Sequence, residues 1–207
     1  MALPTTVKIA PLLETSGHVV AFVGSAGSIE ALRTILSALA PLNAPMIVLV
    51  HQSPDRPPDA LSTALGHPEG LAVHEAQDGW LLRPGRVYVV PAGSHMLIHP
   101  GRRIQIFPAG SFPPYRPSAD LLLVSMAITL GPETICVVLS GAGTDGATGA
   151  TAVHHNGGTV ITTDSETSRA FSMPRATIER DGIAPRVVAV DEVAPLLLDL
   201  IGSSPSE

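Results

Sequence analysis

The segment "HVVAFVGSAGSIEAL", residues 18–32, decides how the rest of the chain is read. An unbroken apolar run from Val19 to Val23 stops at Gly24. Three small residues follow, Ser25, Ala26 and Gly27, and apolar residues then return with a new spacing. Ile29, Leu32, Ile35 and Leu36 fall on one face of a helix over "SIEALRTILSALA". A strand apolar on both faces, a small-residue turn and an amphipathic helix form the opening of a parallel α/β unit.

The same alternation continues outward from this segment. "PMIVLVH" (45–51), "TICVVLSG" (134–141) and "GTVITTD" (158–164) read as strands, and "SADLLLVSMAITLG" (118–131) and "DGATGATAVHHNG" (145–157) as helices. "SMPR" (172–175) starts another helix. The middle differs: "RVYVVPAG", "SHMLIHPG" and "RRIQIFPAG" read as short strands joined by turns, so an antiparallel hairpin region is expected between about Leu71 and Phe107. "PAGSFPPYRPS" (108–118) is a proline-rich surface loop. The expected fold is a doubly wound, mostly parallel α/β sheet with helices on both faces and a small antiparallel hairpin region. Residues 1–17 form a lead-in, 18–201 the folded domain and 202–207 a polar tail.

Composition narrows the class. The 207 residues are 45% hydrophobic and 14% charged, which excludes a disordered chain, and 3% aromatic, which leaves the core to Ala, Val, Leu and Ile. A formal net charge of −6 argues against binding nucleic acid or anionic lipid through bulk charge. No secretory leader and no apolar run of roughly 18 residues is present, so the chain reads as soluble and cytoplasmic, without membrane insertion. The single cysteine, Cys136, lies in the apolar run "ICVVLS" and reads as a buried strand thiol.

In open α/β sheets, ligands bind beyond the carboxyl ends of the strands. Ser25 follows the first strand, His51 ends the second, and Asp145 follows "TICVVLSG" at a helix start. A hydroxyl, an imidazole and a carboxylate are the parts of an activated nucleophile, its base and the group that orients the base. Each has a plainer reading: Ser25 in a tight turn or a phosphate cradle, His51 as a structural histidine, Asp145 as an N-cap. The glycine signatures of nucleotide sites are missing, and Val23 breaks the usual G-x-S-x-G elbow. His154 and His155 precede the helix stop Asn156-Gly157, where positive charge suits a helix C-terminus, and no residue set has zinc-like spacing; no metal or cofactor is expected.

Six segments also resemble, in order, the catalytic domain of the CheB-type chemotaxis protein-glutamate methylesterases. They are "GSAGSIEAL", "VLVHQSPDRPPDAL", "AQDGWLLRPGRVYVVPAGSHMLI", "YRPSADLLLVSMA", "VVLSGAGTDGATG" and "SRAFSMPRATIERDGI", and the likeness spans about Val19 to Val190. The resemblance implies a doubly wound α/β domain that hydrolyses glutamate γ-methyl esters on the cytoplasmic helices of methyl-accepting chemotaxis receptors, with glutamine deamidation as a second activity. It maps Ser25 to the nucleophile, His51 to the base and Asp145 to the orienting acid. Ala142 corresponds to the family's oxyanion hole, with the backbone of Ala26, Gly141 and Gly143 read as the same side of the site. His95 matches a family position and reads as a substrate contact or as a plain strand-surface histidine. From the residues themselves, Met173 at the start of "SMPR" reads as a pocket wall or as core packing, and Arg116 as a substrate contact. Ser118 and Asp120, beside Arg116, read more simply as helix caps.

The chain departs from the family's usual G-A-S-x-G-G at the nucleophile: Val23 and Ser28 replace glycines and Gly24 replaces the alanine. Ala142 replaces a bulky residue whose backbone N–H serves the family's oxyanion hole; alanine keeps the donor and removes the wall. Family members typically carry a phosphorylatable N-terminal receiver domain. The lead-in cannot supply one, so no intrinsic phosphorylation switch is expected. Three alternatives stand beside the receptor esterase: a methylesterase-like binding module, a same-fold hydrolase of another ester, and a nucleotide-binding Rossmann domain.

Overall fold

The computed structural model describes residues 17–39, 42–110, 117–180 and 182–202. In chain order the elements are β1 (Val19–Gly24), α1 (Ser28–Ala38), β2 (Met46–Val50), α2 (Ala60–Leu65), β3 (Ala72–Glu75), β4 (Arg86–Val89), β5 (Ser94–His99), β6 (Arg103–Pro108), α3 (Ala119–Leu130), β7 (Thr134–Val138), α4 (Ala147–His155), β8 (Thr159–Thr163), α5 (Ser172–Ile178), β9 (Arg186–Val188) and α6 (Val193–Gly202). Seven strands form one sheet in the order β3-β4-β2-β1-β7-β8-β9, and every pair in it is parallel.

The unbroken apolar runs become the central strands because water reaches neither face. All residues of β1, β2 and β7 are buried. Side chains along β1 alternate between two cores. Val19, Ala21 and Val23 pack with Leu122, Leu123 and Met126 of α3, whereas Val20 and Phe22 pack with Leu32, Ile35 and Leu36 of α1 and Leu197 of α6. Fully burying one such side chain contributes about 1.5–3 kcal/mol. The helix α3 is apolar nearly all round because it lies between the sheet, α4 and the hairpin.

The chain first builds outward from β1 through β2 and later returns to the other side of β1 as β7. The carboxyl ends of β2, β1 and β7 therefore meet where the winding reverses, the place where such sheets bind ligands.

The antiparallel hairpin exists but is confined to β5 and β6. "RVYVVPAG", read as part of the hairpin region, supplies β4, which joins the main sheet parallel to β2. The chain between β3 and β4 does not close a tight turn; it crosses to β6, with Gly79 N donating to Ile104 O at 2.9 Å and Leu82 N to Arg102 O at 2.9 Å, and returns in the parallel sense. The hairpin is tied to α3 by Ile98 N donating to Ser125 Oγ and Thr129 Oγ1 donating to Ile98 O, both at 2.9 Å. Cys136 is buried in β7, and burial pushes its thiol up to about 12.

Candidate active site

The turn after β1 is laced into the sheet's edge. Ser25 N donates to Ser140 O at 3.0 Å and His51 N donates to Gly24 O at 3.0 Å, so the exits of β7, β1 and β2 are joined by backbone bonds. Gly27 then takes φ +84°, a left-handed conformation that suits glycine, and α1 begins at Ser28. Ser28 is fully buried, and its Oγ donates to the carbonyl of Ser25 at 2.7 Å. A Cβ on Gly24 would lie 2.6 Å from Ser28 Cβ and 3.1 Å from Ser140 O. The side chain at 28 thus occupies the space that a side chain at 24 would need.

The acid side is built differently. Asp145 Oδ2 lies 2.8 Å from His51 Nε2 and also accepts from Ala119 N at 2.6 Å, while Oδ1 accepts from Asp120 N at 3.0 Å and Ser118 Oγ at 3.3 Å. Asp145 does cap a helix, but the helix is α3 rather than α4, which it precedes. The start of α4 is served in return by α3: Asp120 Oδ1 accepts from Gly146 N at 2.9 Å and Gly149 N at 2.8 Å. Ser118 is the N-cap of its own helix, accepting from Leu121 N.

These contacts separate the two carboxyls. Burial alone would raise Asp145, but hydrogen bonds from His51, Ala119 N and Asp120 N outweigh it and hold the group below the ordinary carboxylate range. Burial raises Asp120, the Gly149 N–H opposes the rise, and the neighbouring Asp145 charge adds to it. Asp145 thus stays ionised facing the imidazole.

His95 stands one contact further out. Its Nδ1 accepts from Ser118 N at 3.1 Å and its ring packs on Phe107 at a centroid distance of 5.4 Å. Gly141 approaches the serine closely: a Cβ there would lie 3.0 Å from Ser25 N and would collide with the Met173 sulfur. The N–H of Gly141 donates to Ala170 O at 2.8 Å, so Gly141 contributes closeness rather than a free donor. Among the described residues, the N–H groups of Ala26 and Ala142 carry no hydrogen bond. Met173 is fully buried. Ala142 and Gly143 continue the loop from Gly141 and do not line the cavity beside Ser25. Arg116 lies outside the described residues.

That cavity, of about 650 Å³, is lined by Ser25, Ala26 and His51 together with Arg33, Arg56 and Arg169. The arginines come from three separate segments with no local motif, and sequence reasoning missed them. It also missed Ser140, and it met Ser28 only as a replacement for a glycine. Ser140 Oγ donates to Ala26 O at 2.7 Å and accepts from Ala170 N at 2.9 Å, joining the serine turn to the segment before α5. The only available signal was a polar residue ending an otherwise apolar strand. Among the described residues, no helix is long and apolar enough to cross a membrane.

A buried carboxylate on an imidazole, with a hydroxyl at a strand-to-helix turn lining the same cavity as that imidazole, is an arrangement suited to acyl transfer. The family model for CheB methylesterase matches residues 20–197. A protein-glutamate methylesterase/protein-glutamine glutaminase of Moorella thermoacetica is 38% identical over 189 residues, covering 89% of this chain and 44% of its own length. A protein of the same name from Salmonella typhi is 34% identical over 207 residues, covering 98% of this chain and 58% of its own length. The chain thus spans about half the length of the curated relatives it matches. The solved CheB methylesterase catalytic domain of Thermotoga maritima superposes with a TM-score of 0.79 at 32% identity, covering 90% of this chain and all of that one. With family model, relatives and solved domain all falling on the unit from β1 to α6, the chain belongs to the CheB methylesterase family.

Proposed function

We propose that the protein is a carboxylic ester hydrolase acting on glutamate γ-methyl esters of methyl-accepting chemotaxis receptors in the cytoplasm. Residues 18–201 are its catalytic unit, and glutamine deamidation is a second reaction of the same site. The observation that carries this reading is the 2.8 Å contact between His51 and the buried Asp145, on the wall of a cavity that Ser25 shares. The names of the relatives support the substrate class.

In this reading Ser25 Oγ attacks the ester carbonyl. Because Nε2 of His51 faces Asp145, Nδ1 is the nitrogen that takes the serine proton. Asp145 holds the Nε2 proton, fixes the tautomer and stabilises the imidazolium. The N–H groups of Ala26 and Ala142 are the oxyanion donors, with Gly141 allowing the approach and Met173 backing it. The His51 proton passes to methoxide as methanol leaves. Water, deprotonated by His51, then cleaves the acyl-serine and leaves a glutamate carboxylate. For a glutamine the leaving group is ammonia. His95 and Arg116 are the substrate-side contacts.

Methanol release from a methyl-esterified receptor fragment tests this directly. Wild type is expected to release methanol, and Ser25→Ala to fold normally with a rate lower by about 10⁴-fold or more. No release from wild type, with the protein folded, would overturn the reading in favour of a binding module or a different ester.

A further inference from the structure

The cavity, of about 650 Å³, is larger than one esterified glutamate side chain needs, and three arginines line it. Arg33 comes from α1, Arg56 from the loop after β2, and Arg169 from the loop between β8 and α5. One acid, Glu30, shares the lining. Glu30 stands three residues before Arg33 on α1, yet the ion pairs among the described residues are His51–Asp145 and Arg102–Glu133. The three guanidinium groups therefore have no carboxylate partner among the described residues. This local excess runs against the chain's net charge of −6.

The placement of Arg169 is built. A Cβ on Gly27 would lie 2.8 Å from Arg169 Cβ, so the arginine stem rests on the serine turn itself. The loop behind it is braced by Asp164 Oδ1 accepting from Thr167 N at 2.8 Å, by the Thr163–Ser168 hydroxyl pair at 2.7 Å and by Ala170 N on Ser140.

We infer that these arginines select esters flanked by free carboxylates. On a helical substrate, the residues three and four positions from the esterified glutamate lie about 5–6 Å from it, and those seven positions away about 10 Å. Acidic side chains at those positions pair with Arg33, Arg56 and Arg169 while the ester reaches Ser25. The inference rests on the methylesterase reading and narrows its substrate. It carries a consequence: each hydrolysis converts an ester into a carboxylate, so removal of one methyl group improves the site for its neighbours on the same helical face.

The test uses two helical peptides that carry one glutamate γ-methyl ester each. One has glutamates three, four and seven residues away, and the other has glutamines there. Binding to Ser25→Ala protein, which retains the ester, is followed by fluorescence anisotropy. The acidic peptide is expected to bind roughly tenfold more tightly in about 0.01 M salt, the sum of three exposed pairs, and to lose that advantage in about 0.5 M salt. Adding Arg33→Gln, Arg56→Gln and Arg169→Gln should bring the ratio close to one; if that combination fails to fold, each single substitution should lower it about twofold. Equal affinities for the two peptides, or a ratio that survives these substitutions, would overturn the inference. Methanol release by wild type is scored separately. Discrimination without methanol would keep the acidic recognition and remove the esterase. Methanol from both peptides at equal kcat/KM would keep the esterase and remove the recognition.

Discussion

The turn that carries Ser25 contains no charged side chain, whereas the corner that carries Asp145 brings two carboxylates together. The first is held by neutral hydrogen bonds to Ser140 and Ser28 and by close packing. Gly24 leaves room for Ser28, Gly27 for Arg169 and Gly141 for Met173. The second is held by directed donors: four backbone N–H groups, from Ala119, Asp120, Gly146 and Gly149, end on two carboxylates. One side of the site is thus sensitive to volume and the other to charge. The two should fail under different substitutions.

On the charged side, Asp145→Asn should have the largest effect on turnover. An amide oxygen still accepts from α3, so the fold survives, but the wrong imidazole tautomer lowers the esterase rate by about 10⁴-fold. Unfolding curves beside methanol release check both halves of this statement. A loss of less than tenfold would reduce Asp145 to a cap.

Gly24→Ala probes the volume side and should destabilise the protein by about 1–3 kcal/mol, since a Cβ meets Ser28 at 2.6 Å. Adding Ser28→Gly should recover part of that loss, giving a coupling of at least about 0.5 kcal/mol in a double-mutant cycle read by denaturant unfolding. Strict additivity would show that the two positions do not compete for space.

The smallest effect is expected at Asp120. Asp145, held below its ordinary range, contributes stability that is present above that range and lost as pH falls through its folded value. Asp120 is raised, so its contribution is present below its ordinary value and lost as pH rises through the folded one. Asp120→Asn keeps an oxygen for Gly146 and Gly149 and removes the like charge. It should raise Tm slightly at neutral pH, and the gain should vanish as pH falls through the folded value of Asp120 and the group takes up its proton. A clear loss of Tm at neutral pH would show that the charge itself anchors α4.

Much of this layout could be read from local pattern. The apolar runs at Val19–Val23 and Met46–Val50 announced buried strands, and the spacing of Ile29, Leu32, Ile35 and Leu36 announced α1 with little error at its ends. Position after a strand was enough to single out Ser25, His51 and Asp145. The partnership of Asp145 with α3 was not legible. Asp145 and the α3 amide it caps are 26 residues apart, and nothing near either residue names the other. The departures at 24 and 28 appeared as separate substitutions, although in space they are the two halves of one exchange. β4 was assigned to the hairpin region because its flanking turns look alike whether the chain reverses or crosses over. α2 is too short to show a period, and β9 is a three-residue edge strand.

The reciprocal caps between α3 and α4 bear on how the molecule opens. Each helix supplies, or directly follows, the carboxylate that satisfies the first turn of the other, so neither can fray at that end without stripping acceptors from its partner. The two helix starts therefore form one cooperative unit in the spectrum of local unfolding. His51 leans on that unit through Asp145. The working geometry is kept or lost in a single step, and thermal motion that loosens the corner removes the site whole instead of blurring it.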